Sequence, residues 1–244
     1  MKAEQVYKTL ASKKVETQFN SKQVACLIFF SMLYMSVMIA NAVLTKKWIS
    51  IGPYFVFGGA FVSPFLFIFG DIIAELFGCD LMKKIILFGF ICQTIFAIIV
   101  QSMIQTPVPA IWHEQYSFSF VFDSIVRINL SSFIAYFVAS IMNVVIITRW
   151  KAMVHGKYFW LRSIGASTIA EACYSAIAIL MIGFGSLSFS TMLSVIAISY
   201  AIKLLSSIVF AYPANILINY IKSNYKIDVY DSINYNPFLA RAAV

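Results

Sequence analysis

The sequence predicts an all-α integral membrane protein, a six-helix transmembrane bundle with both termini in the cytoplasm. Three observations carry that expectation. Of the 244 residues, 61% are apolar and only 11% are charged, against roughly 45–50% and about 25% in soluble domains. Water cannot cover so much apolar surface with so few charges, so lipid must solvate most of the chain. Six apolar stretches reach the about 20 residues needed to cross the hydrocarbon layer. The basic residues gather in alternate connections.

Residues 1–22 are polar and lysine-bearing. They read as a cytoplasmic tail, with a short amphipathic helix on the membrane surface as one option. The first apolar run begins too late for an ordinary cleaved signal peptide. Spans follow at 23–45, 53–78, 84–104, 122–148, 163–185 and 189–221, making a membrane domain of residues 23–221 before a second cytoplasmic tail, 222–244. Several exceed the minimum, which implies tilt or helix continuing past the hydrocarbon. Glycines and prolines in "GPYFVFGGAFVSPF" predict a kink or close helix packing in the second span. The connections are short except 105–121, whose prolines and aromatics predict a structured interfacial loop anchored by Trp112 and Tyr116.

Charge counting sets the orientation. Fourteen of the 18 basic residues fall on one side: five in the amino-terminal tail, Lys83 and Lys84, Arg149, Lys151, Lys157 and Arg162, then Lys222, Lys226 and Arg241. The other side holds Lys46 and Lys47, while Arg127 and Lys203 lie within spans. The positive-inside rule puts the first side in the cytoplasm, and an even number of spans independently requires both termini on one side. This placement of the +8 net charge also removes the reading as a nucleic-acid binder. Cys26, Cys79, Cys92 and Cys173 show no CxxC spacing, and His113 and His155 lie in opposite loops. Neither a metal site, a disulfide framework nor a cofactor is expected.

Ionisable residues inside a span cost a few kcal/mol or more and need a reason. Asp71 and Glu75 lie four apart on one face of the second span. They either pair with Lys83 and Lys84 near the headgroups or face a central cavity. Asp123 and Arg127 have the spacing of an intrahelical ion pair, with a ligand role as the alternative. Tyr136, Ser140 and Asn143 give the fourth span a polar stripe. Glu171 and Lys203 stand at similar depth and are expected to pair, as architecture, as a cavity wall or as a proton-sensitive gate. Asn41, Asn215 and Asn219 can bond between helices. The interior is therefore polar, as a water-filled path or solute pocket would require.

The motifs go further. Asn41 and Lys46 form N-x4-K, and Gly59 and Pro64 form G-x4-P. "FIFGDIIAELFG" sets Asp71, Glu75 and Gly78, and Arg127 precedes "INLSSFIAYFVASIMN". "WLRSIGAST" leads to Glu171, and the tail reads "DVYDSINYNPF". Together these resemble the queuosine precursor transporter family, also called the vitamin uptake transporter family, over nearly the whole chain. Two positions depart from the family pattern. Ser140 and Asn143 stand where Gln and Asp are common, and Tyr174 stands where Asp is common.

The resemblance implies import of a deazaguanine base across the bacterial inner membrane. Candidate substrates are 7-cyano-7-deazaguanine, its aminomethyl relative and queuine. A carboxylate can accept from the N1–H and 2-amino groups of such a base, and an amide or cation can donate to its 6-oxo group. Flat aromatic side chains can sandwich the ring. Glu75 or Glu171 is the expected acceptor, Asn41, Arg127 and Asn143 the donors, and Phe67, Tyr136 and Tyr174 the stacking rings. Asp71 and Lys203 complete the candidate set. A stand-alone carrier is one reading. A substrate-binding subunit of an energy-coupling-factor-type importer, served by an ATP-driven partner, is the other, and a homodimer is left open. No nucleophile–base pair, HExxH or histidine cluster supports an enzyme.

Overall fold

The computed structural model describes residues 19–229. The expectations for an amino-terminal surface helix and for the Asn-Pro-Phe segment lie outside the described residues. Six helices are long and apolar enough to span a membrane, as the sequence predicts.

Helix α1 (Ser21–Leu44) opens where the Gln23 side chain accepts from the Asn20 N–H at 2.9 Å, closing the first turn on itself. A two-stranded hairpin, β1 (Trp48–Ile51) and β2 (Tyr54–Phe57), then pairs Trp48 with Phe57 and Ile51 with Tyr54. This corrects the second span, which was expected to begin at residue 53. The Gly52-Pro53 turn cannot continue a helix, and Gly52 takes φ +58°, a conformation open to a residue without a Cβ. Trp48 stacks on Phe55 with ring centroids 4.7 Å apart. Phe57 is buried with Ile179, Met192 and Val195, which pins the hairpin to the last two helices.

Helix α2 (Gly59–Phe77) occupies the middle of the molecule. About three quarters of it is buried inside the protein, against a fifth to just over a half of the others. It touches all five other membrane helices. A single residue, Gly78 at φ 95°, separates it from α3 (Cys79–Ile104), so Lys83 and Lys84 sit in the first turns of a helix, and the third span starts earlier than expected. The expected 105–121 loop contains a short helix, α4 (Gln115–Phe122). The chain then breaks at Asp123–Ser124 before α5 (Ile125–Met153), α6 (Phe159–Gly183) and α7 (Phe189–Tyr225).

Helix α7 has 37 residues, roughly 55 Å at 1.5 Å per residue, so it outruns a ~30 Å hydrocarbon layer. Its last turn ends at Lys226 in the left-handed conformation, whose N–H donates to the Lys222 carbonyl. Gln23 Nε2 donates to the Tyr225 carbonyl at 2.9 Å, joining the start of α1 to the end of α7. Large apolar side chains such as Phe29, Phe88, Ile98, Leu205 and Val209 are exposed around the bundle. Such a girdle is stable against hydrocarbon and costly against water.

Candidate functional site

Four inner helices carry polar side chains at helical spacing. On α2 these are Ser63, Asp71 and Glu75, and on α6 Ser163, Ser167, Glu171 and Ser175. Helix α5 brings Asn129, Ser132, Ser140 and Asn143, and α7 brings Ser199, Lys203 and Ser207. All are buried, so the bundle has a polar seam from end to end.

At the hairpin end lies a cavity of about 620 Å³, whose wall includes Thr45, Lys46, Trp48, Phe57, Phe120 and Arg127. The expected Asp123–Arg127 pair does not form. The break at Asp123–Ser124 destroys the i, i+4 geometry, and Asp123 instead accepts from Lys46 at 2.7 Å. Arg127 donates to the Ile182 and Phe184 carbonyls at 3.2 and 2.7 Å. It thereby caps the end of α6, where the helix dipole favours a cation.

One turn inward from Thr45, Asn41 Nδ2 donates to the Tyr174 hydroxyl at a long 3.4 Å. Phe67, Tyr136 and Tyr174 surround a common point, with centroid separations of 5.5, 6.0 and 5.9 Å. The Tyr34 hydroxyl donates to that of Tyr136 at 2.7 Å. Lys203 Nζ sits 4.3 Å from the centre of the Tyr174 ring, a cation–π contact.

Glu171 and Lys203 do not pair directly. Lys203 donates to Ser175 Oγ at 2.8 Å, and Ser207 Oγ donates to Glu171 Oε1 at 2.6 Å. On antiparallel α6 and α7, each charge faces a serine one turn from the opposite charge, so the serine intercepts it. Among the described residues, Glu171 Oε2, Asn41 Oδ1 and Asn143 Oδ1 have no hydrogen-bond partner. Buried polar atoms seldom remain unmade, because each costs about 1–3 kcal/mol.

Towards the opposite end, Asp71 accepts from Asn143 Nδ2 and from Ser163 Oγ. Glu75 lies in different surroundings. Arg162 grips it with two donors at 3.0 and 3.1 Å, and Lys222 donates at 2.6 Å. Lys151 stands 3.8 Å away and also bonds the Glu75 carbonyl and Asp228. Lys83 pairs with Asp80, so the expected pairing of Asp71 and Glu75 with Lys83 and Lys84 is replaced. A backbone bond from Val229 N–H to the Leu76 carbonyl closes this end further.

The structure therefore brings Asn41, Phe67, Tyr136, Glu171, Tyr174 and Lys203 together. It places Asp71 and Asn143 beside them towards the hub around Glu75. Arg127 does not join: nine residues, about 14 Å, separate it from Tyr136 along α5. Sequence reasoning missed Lys151, Arg162 and Lys222 because their positions read as loop or tail charges. Their signal was indirect, since a buried Glu75 demands cations from somewhere.

Comparison with known proteins agrees with this architecture. A family model described as "putative vitamin uptake transporter" matches residues 57–218. A protein of Escherichia coli (strain K12) named "Queuosine precursor transporter" is 25% identical over 191 residues, covering 77% of this chain and 83% of the relative. No solved structure matches the chain. Six spanning helices, a polar seam and the matched family model lead to one assignment: the chain belongs to the vitamin uptake transporter family and is a multi-pass membrane transporter.

Proposed function

We propose that this transporter imports a queuosine precursor, a 7-deazaguanine base, with Glu171 accepting from the N1–H and 2-amino edge. The supporting observation is that Glu171 Oε2 has no hydrogen-bond partner among the described residues, one turn along α6 from Tyr174, whose ring meets those of Phe67 and Tyr136. Glu75 is the weaker candidate, since its oxygens are engaged by Arg162 and Lys222. The long Asn41–Tyr174 contact is one that a ligand 6-oxo group can replace, with Lys203 as a second donor. A carboxylate aimed at donors on the ring edge rejects bases that lack them, because its own desolvation then goes uncompensated. With the lysine-rich end in the cytoplasm, the 620 Å³ cavity faces outward and the Glu75 hub closes the inner side.

The test is binding and uptake with purified protein in liposomes, comparing cyano-deazaguanine, aminomethyl-deazaguanine, queuine and guanine. Glu171→Gln should weaken binding 10- to 100-fold, the loss of about 1.5–3 kcal/mol for hydrogen bonds to a charged group. Wild-type uptake by both Glu171→Gln and Glu75→Gln, at normal expression, sinks the assignment. Binding without uptake by the lone chain would favour the reading as a subunit with an ATP-driven partner.

A further inference from the structure

Two carboxylates one turn apart on α2 are treated in opposite ways. Glu75 has Arg162, Lys151 and Lys222 around it. Asp71 is 0% exposed, and among the described residues no lysine or arginine lies within ion-pair distance of it. Its contacts are neutral donors, Asn143 Nδ2 on one oxygen and Ser163 Oγ on the other. The carboxylates of Glu75 and Glu171 are near enough to act on it. Of the cations on facing helices, Arg162 and Lys151 are held by Glu75 and Lys203 by Ser175. An uncompensated buried carboxylate costs several kcal/mol, and neutrality can be reached by binding one positive charge.

We propose that Asp71, seated between Asn143 and Ser163, is the proton-binding site that couples transport to the proton gradient, a role resting on the import reading above. In this proposal the Asp71 carboxyl becomes neutral by taking a proton from the outer aqueous side. Asn143 is 1% exposed and its Oδ1 lacks a donor among the described residues, so rotation of the amide offers an acceptor for the new O–H. The two donors close directly on the carboxylate. A sodium ion would instead need several further oxygens around it.

Release follows from the neighbouring hub. Arg162 precedes Ser163 in sequence, so the guanidinium that locks Glu75 and the hydroxyl that holds Asp71 move together. When the hub opens towards the cytoplasm, water reaches Asp71 and its proton leaves to that side. The ionised Asp71 then competes with Glu75 for Arg162, which disfavours reclosure until substrate has gone. One proton, and so one positive charge, enters with each base, in addition to the charge of any protonated amine that the base itself carries.

Infrared spectroscopy of the purified protein tests the site without substrate. At neutral pH the wild type should show the carbonyl stretch of a protonated carboxyl, lost in Asp71→Asn and kept in Glu171→Gln. Ser163→Ala, which removes one donor but leaves the acid, should shift that band in frequency. A wild type with no such band, or a band unmoved by Ser163→Ala and kept in Asp71→Asn, overturns the proposal. In liposomes, an acidic exterior should concentrate deazaguanine inward at least tenfold, with net inward positive current. Asp71→Asn should exchange substrate but not concentrate it. Accumulation driven by sodium alone, at equal pH on both sides, also overturns it. Failure to bind any deazaguanine, with the infrared band present, would refute the substrate and leave the proton site standing.

Discussion

Glu75 accepts from two guanidinium nitrogens and one ammonium while a second lysine stands close by. Removing its charge would take from Arg162, Lys151 and Lys222 the buried carboxylate on which they converge. Breaking a buried pair from one side costs about 3–5 kcal/mol because the stranded charge stays desolvated. Glu75→Gln should therefore lower the thermal unfolding temperature in detergent by many degrees, and an unchanged temperature would show that the hub adds nothing to stability. At this scale the sequence was half legible. Asp71 and Glu75 announced themselves as charges in an apolar run, but their partners did not. Lys151 and Arg162 flank a short connection and read as solvent-facing topology signals, yet both are 2% exposed. Helix ends fold inward far enough for a long side chain to serve the core, a depth that spacing alone does not reveal.

Helices were legible wherever a long apolar run left no alternative. The hairpin was not, because a short apolar run fits a strand as well as a helix end. Its signals were the Gly52-Pro53 turn and the aromatic density of residues 54–57, which favours a pleated surface. The junction that follows is tight. A Cβ on Gly59 would stand 2.2 Å from Thr45 Oγ1 and 2.9 Å from Asn41 Oδ1, so Gly59 lets α1 and α2 touch beside the candidate site residue Asn41. Gly59→Ala should cost about 1–3 kcal/mol by overpacking and displace Asn41. The expected readout is a lower unfolding temperature together with weaker ligand binding. Gly52→Ala is the control. Nothing lies near its Cβ but φ is +58°, so it should lose about 1 kcal/mol and leave binding unchanged.

The molecule as a whole is a bundle with α2 at its centre and two chemically different ends. One is aromatic, with a cavity and few lysines, and the other carries most of the cations. Cysteine labelling in sealed vesicles can read their sides directly. In a chain cleared of its native cysteines, Tyr54→Cys should react with an impermeant thiol reagent from outside, and Lys157→Cys only from inside. The reverse pattern would invert the orientation that charge counting predicts. The sequence makes a prediction of orientation because that depends on sums over many residues. The candidate site was legible only as a list of polar positions, since which of them meet is decided by register between helices remote in sequence.

The position of α2 also has a consequence for how the protein is made. Glu75 leaves the ribosome before each of its counter-ions, which lie 76, 87 and 147 residues further along the chain. At about 5–20 residues per second, the last arrives roughly 7–30 s later. For about the first half of that interval the central helix holds two carboxylates with none of the cations that serve Glu75. Gly78 joins it within one residue to apolar α3, so the two can enter the bilayer as a hairpin. The half-finished chain is thus unstable at its own centre, and completion of α7 is the step that lets the membrane domain settle.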